Sequence, residues 1–128
     1  MPQYMCLLYA DPGDDDTAAE RMAEMPLWLE VTESLRAAGV LVANAALHGV
    51  ETATTLRAPD GELVISDGPF ATTKETLGGY YLLECRNLDE ALRHAARLPL
   101  LRYGSIEVRP VVSTEEVMRI AAEASGSA

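Results

Sequence analysis

Asp67, Lys74 and Glu75 place two carboxylates and an amine in one short stretch, ISDGPFATTKETLGGYY, running from Ile65 to Tyr81. Lys74 is the sole lysine of the 128-residue chain, and Phe70 is its sole phenylalanine. Carboxylates and amines in one cleft can take and return protons, and apolar surroundings shift their pKa values. Glu107 and Arg109, in SIEVRPV, add another carboxylate and a guanidinium whose forked donors hold oxyanions. His48, in ALHGV, adds an imidazole, a side chain suited to acid–base work. The candidates for catalysis are therefore Asp67, Lys74, Glu75, Glu107 and His48. Those for binding are Phe70, Lys74, Glu75, Tyr80 and Arg109. Each also has a plainer reading: Phe70 plugs a tight turn, Lys74 and Glu75 form a solvated pair, and His48 is a loop residue.

The turn before Lys74 is chemically well specified. Asp67 can bond its own backbone, Gly68 can take a positive φ, and Pro69 fixes its own φ. The expectation is a loop anchored by a largely buried Phe70, delivering Lys74 and Glu75 to the start of a strand. Gly78 and Gly79 in that strand leave room for a ligand or a second backbone to come close. Glu107 and Arg109 fall on one side of a later strand, with Ile106 and Val108 on the other. Glu107 is expected to share a cavity with Lys74 or Glu75.

The elements that must hold these groups follow from pattern. QYMCLLYA, Gln3–Ala10, is short, apolar and ends at DPGDDD, so it reads as a strand. Thr17 and Glu20 have capping-box spacing for a helix that runs to Ala38 and stops at Gly39. Pro26 either kinks that helix or starts a second one. Val40–Leu47 reads as a strand, and Thr52–Arg57 with Glu62–Ser66 as a hairpin around APDG. Gly78–Cys85 is the next strand, Asn87–Leu98 a capped helix before Pro99, and Ser105–Val111 the last strand. A helical tail spans Thr114–Ala124, and the final SGSA is expected to fray. This divides the chain into a domain over 1–112 and a tail over 113–128. The order strand–helix–strand–hairpin–strand–helix–strand is that of an α+β, ferredoxin-like split βαβ fold with an inserted β-hairpin. YMCLLYA and GYYLLEC are apolar at both parities, so both sheet faces call for cover. Two helices cover one face. A second copy of the chain is the natural cover for the other.

Composition sets further bounds. The net charge is −10, which argues against nucleic acid or anionic membrane partners. Asp11, Asp14, Asp15 and Asp16 form an acidic loop that lacks the spaced ligands of a calcium site. Cys6 and Cys85 sit in apolar runs without metal-ligand spacing, so free buried thiols are expected and neither metal nor cofactor. MPQYMCLLYA lacks the pattern of a signal peptide, and no apolar run is long enough to span a bilayer. A cytoplasmic location is the expectation.

DGPFATTKETLGGYYLLE, followed by NLDEALRHAARLP and IEVRPVV, resembles the DGPF-domain branch of the YCII-related proteins. YMCLLYA and LRAAGVL fit as well, so the resemblance covers Gln3 to Val112. It implies a dimeric α+β barrel, largely uncharacterised relatives, and a functional link to an extracytoplasmic-function sigma factor. The family motif reads Asp-Gly-Pro-Phe-Ala-Glu-Thr-Lys-Glu, and here Thr72 stands in place of its first Glu. Other YCII-related proteins resemble lyases with a His–Asp pair. The positions matching that pair hold Trp28 and Leu98, which cannot move a proton at neutral pH. Two readings result. One is a dimeric small-molecule-binding or accessory protein. The other is an acid–base lyase or isomerase acting on a small oxygenated substrate. The absent dyad favours the first.

Overall fold

The computed structural model describes residues 1–126. Alternation builds the central strand β1 (Gln3–Ala10): Tyr4, Cys6 and Leu8 are buried, while Met5, Leu7 and Tyr9 are only half-buried on the other face. Helix α1 (Asp15–Met22) starts two residues before the expected Thr17 box. Its cap is Asp14, whose carboxylate accepts the Thr17 backbone N–H and hydroxyl, both at 2.9 Å. Asp caps as well as Thr and adds a charge suited to a helix N-terminus. The Thr17 backbone bond, and next its hydroxyl, hold the Asp14 carboxyl below its ordinary pKa. Part of the acidic loop is therefore structural. Helix α2 (Met25–Ala37) has Pro26 in its first turn, so the proline starts a second helix.

Strand β2 (Leu41–Ala46) follows, then a 3₁₀ turn over Val50–Thr52 and the hairpin β3 (Thr54–Arg57) with β4 (Val64–Asp67). Strand β5 (Thr76–Glu84) begins two residues earlier than expected, directly after Glu75. Asn87 caps α3 (Leu88–Ala95) by accepting the Glu90 N–H at 2.9 Å. This helix ends at Ala95, short of Leu98. Leu98 is extended at ψ 134°, as Pro99 requires of the residue before it, and Pro99–Arg102 forms a 3₁₀ turn. Strand β6 (Gly104–Pro110) and helix α4 (Thr114–Ala124) complete the described chain. Of the expected frayed SGSA, residues 127 and 128 lie outside the described residues.

The main sheet runs β2-β5-β1-β6, with every neighbouring pair antiparallel, and β3-β4 forms a separate two-stranded sheet. This is an α+β fold with the ferredoxin-like strand order. Leu35 of α2, with Ala91 and Ala95 of α3, packs on Tyr4, Cys6, Leu8, Tyr81 and Leu83 to form the core. Both thiols are buried and free. The opposite face is ordered in rows across the strands. Glu107 pairs Leu7 and Leu7 pairs Tyr80. Arg109 pairs Met5 and Met5 pairs Leu82. Gly78 is the extra residue of a bulge between Leu8 and Tyr9, and Gly79 packs beneath the β2 backbone. A Cβ on Gly79 would lie 2.5 Å from the Ala45 carbonyl oxygen. The backbone that comes close at Gly79 is the chain's own β2, and not a ligand or a partner.

Candidate functional site

The Asp-Gly-Pro-Phe turn is strapped to the hairpin. Gly68 takes φ +99°, a left-handed conformation open to glycine, and its N–H donates to the Ala53 carbonyl at 2.8 Å. Thr55 Oγ1 donates to the Gly68 carbonyl at 2.7 Å, and the Arg57 guanidinium donates to the Phe70 carbonyl. Thr55 and Arg57 share one side of β3, which places both straps on the turn. The expected burial of Phe70 does not hold: its ring is 75% exposed. The turn's backbone is satisfied by a hairpin that itself has no buried residue, so no core lies within the ring's reach.

Beneath the turn lies a cavity of about 770 Å³, lined by His48, Phe70, Thr55 and Glu75 together with Tyr9 and Leu77. Thr73 Oγ1 donates to the Glu75 carbonyl at 2.6 Å and stiffens the approach to β5. The Ser105 hydroxyl lies 3.1 and 3.4 Å from the two Glu75 carboxylate oxygens. Ser105 opens the row of β6 that continues to Glu107 and Arg109, so Glu75 adjoins the edge of that face. Asp67, Lys74, Tyr80, Glu107 and Arg109 are not among the lining residues. Asp67 closes β4 opposite Thr54, and Lys74 is exposed. Tyr80, Glu107 and Arg109 lie on the half-buried sheet face. In one chain the loop thus gathers His48, Phe70 and Glu75 and leaves the other candidates apart.

A second cavity, of about 480 Å³, opens on the helix side of the sheet between α1, α2 and β5. Trp28 and Tyr81 meet there with ring centroids 6.1 Å apart. Thr32 Oγ1 and the Tyr81 hydroxyl form a buried hydrogen bond of 2.6 Å. The Arg21 guanidinium stands 4.1 Å over the Tyr103 ring. Burial pushes the Tyr103 phenol above its ordinary pKa, against the opposing pull of Arg21. Sequence reasoning missed this site because its parts lie far apart in the chain. Trp28 is the one visible signal, and in the sequence it stands out only as the residue at a position matching the His–Asp pair of other YCII-related proteins.

Cys85, Glu90 and His94 bring a thiol, a carboxylate and an imidazole within 4.8 Å of one another, a donor set that spacing did not reveal. Glu90 and His94 are one helical turn apart on α3, at 3.8 Å. Arg86 already holds the Glu90 carboxylate at 2.8 Å. Burial, then the charges of Glu90 and Glu84, push the Cys85 thiol up, so it stays neutral beneath this pair.

Comparison with known proteins adds kinship. The model of the YCII-related domain matches residues 2–115. The chain is similar to "Uncharacterized protein R00369" of Rhizobium meliloti (strain 1021), with 49% identity over 76 residues, 58% of this chain. The match spans 61% of that relative's length. Among the described residues no helix is long and apolar enough to cross a membrane.

Proposed function

Because this chain belongs to the YCII-related domain family, we propose that it is a homodimeric small-molecule-binding or accessory protein of the cytoplasm. The observation that carries the reading is where the loop cavity sits. Tyr9 and Leu77 pair across β1 and β5, line that cavity, and belong to the half-buried apolar sheet face. A second copy laid on that face would close the cavity over Glu75 and His48. Glu107 and Arg109 would flank the seam, where charges must be paired or solvated. The binding unit is residues 1–112, and the tail that begins at residue 113 carries α4, Thr114–Ala124. Service to a neighbouring regulator, such as an extracytoplasmic-function sigma factor, is the accessory form of this proposal.

The alternative, an acid–base lyase or isomerase acting on a small oxygenated substrate, draws on one observation: His48 and Glu75 line the same cavity. Asp67, Lys74 and Glu107 stand outside that lining, which supports binding over proton transfer. Native mass spectrometry of protein purified gently from cells tests the proposal. The expected result is a dimer carrying a small molecule, which His48→Ala or Glu75→Ala in the cavity lining should weaken or abolish. A ligand-free monomer at micromolar concentration would refute it.

A further inference from the structure

The cavity between α1, α2 and the sheet is a second site, on the opposite face from the loop cavity. Leu8, Gly79 and Tyr81 line it from the helix side, whereas Tyr9 and Leu77 line the other. Its walls are mostly apolar and aromatic, and its volume of about 480 Å³ is in the range that holds small ligands. The charged residues in its lining are Arg21 and Arg36, and no Asp or Glu lines it. In a chain with 20 acidic and 10 basic residues, that selection runs against composition. Arg36 is tied at 2.6 Å to Glu33, at an exposed rim. Among the described residues Arg21 has no such ion pair: its Nη1 donates to the Pro12 carbonyl at 3.4 Å and its guanidinium lies over Tyr103. Its Nε is buried without a hydrogen-bond partner, one of two such side-chain atoms among the described residues. Glu24, which carries the other, does not line the cavity, and its second oxygen is held by Arg102 at 2.7 Å. A buried donor left unpaired is costly, so Arg21 gains by turning its guanidinium toward an acceptor that enters the cavity.

We propose that this cavity binds a small apolar carboxylate, its hydrocarbon or aromatic body against Trp28 and Tyr81 and its carboxylate at Arg21. The aromatic walls give area without polar demand, while the guanidinium selects the anion. The net charge of −10 would otherwise repel an anion, so the cationic lining is a requirement of the site.

Trp28 is the sole tryptophan, so its emission reports the cavity directly. The probes are 3-phenylpropanoate and the uncharged 3-phenylpropan-1-ol, titrated into the full-length protein. The carboxylate should give a saturable change in emission, with the alcohol bound about tenfold more weakly, as expected for one hydrogen bond to a charged group. Arg21→Gln should bring the two probes close to parity. Equal binding of acid and alcohol by the unmodified protein overturns the proposal, and that comparison needs no folded variant. So does the absence of saturation with the acid in the millimolar range, or undiminished acid preference in Arg21→Gln. These outcomes leave the loop cavity and its proposed dimer untouched.

Discussion

Cys6 lies under the sheet with no exposed surface. Burial, and next the neighbouring Cys85, push its thiol up to about 11. The unfolded chain would ionise it near the ordinary 9.0. Between about 9 and 11 the unfolded state therefore binds fewer protons than the folded one, so stability falls as pH rises. The contribution is complete below the unfolded value and lost through the folded one. The urea midpoint should hold level up to about pH 8.5 and decline beyond it. Cys6→Ala removes the ionising group and should flatten part of that decline, which separates Cys6 from Cys85, whose thiol burial also pushes up. An unchanged slope in the variant would show that the thiol ionises freely in the fold. Burial also predicts that Ellman's reagent finds no reactive thiol in the native protein and two per chain after denaturation.

At the scale of elements, two adjacent glycines of β5 have different reasons to be there. A Cβ on Gly79 would meet the Ala45 carbonyl oxygen at 2.5 Å, whereas the nearest atom to one on Gly78 is Leu8 O at 4.0 Å. Gly79→Ala must force β2 off β5, at about 1–3 kcal/mol, the usual range for overpacking. Gly78→Ala should cost less than about 1 kcal/mol. Equal losses in chemical denaturation would mean that β2 is free to shift. The sequence showed a double glycine and could not say which backbone came close, because β2 and β5 meet through a long connection. Strand identities were legible because Tyr4, Cys6 and Leu8 alternate with half-buried neighbours. Strand order followed from that pattern and the helix positions. Local capping was legible at Asn87 but misplaced at Thr17, where three aspartates compete for one cap. Phe70 misled because an aromatic after a tight turn implies a core within reach, and the hairpin offers none. The link from Glu75 to Ser105 spans 30 residues, so no local signal could have announced it.

At the scale of the whole molecule, three stretches of apolar surface among the described residues stand without a partner. Met5, Leu7, Tyr80 and Leu82 are half-buried on the sheet face away from the helices. Leu56 and Ile65 pair across the hairpin at 63% and 64% exposure, beside exposed Phe70. Val117, Ile120, Ala121 and Ala124 fall at helical spacing on α4, which has no buried residue. Surfaces of this kind mark association sites. The proposed dimer through the sheet faces predicts that Leu7→Glu, which puts a charge at the face centre, yields a monomer by sedimentation with far-UV dichroism unchanged. Salt decides what drives the contact. Each copy carries a net charge of −10, so two copies repel at long range, and added salt screens that repulsion. Under a two-fold axis Glu107 of one copy can approach Arg109 of the other, and salt would weaken such pairs. Rim pairs of that sort contribute about 0–1 kcal/mol, so the apolar contact and the net repulsion should dominate. The dimer dissociation constant should therefore fall as sodium chloride is raised from 20 to about 300 mM, where the Debye length drops below 10 Å. A constant that rises with salt would show that charge pairing, and not the apolar face of β1 and β5, holds the copies together.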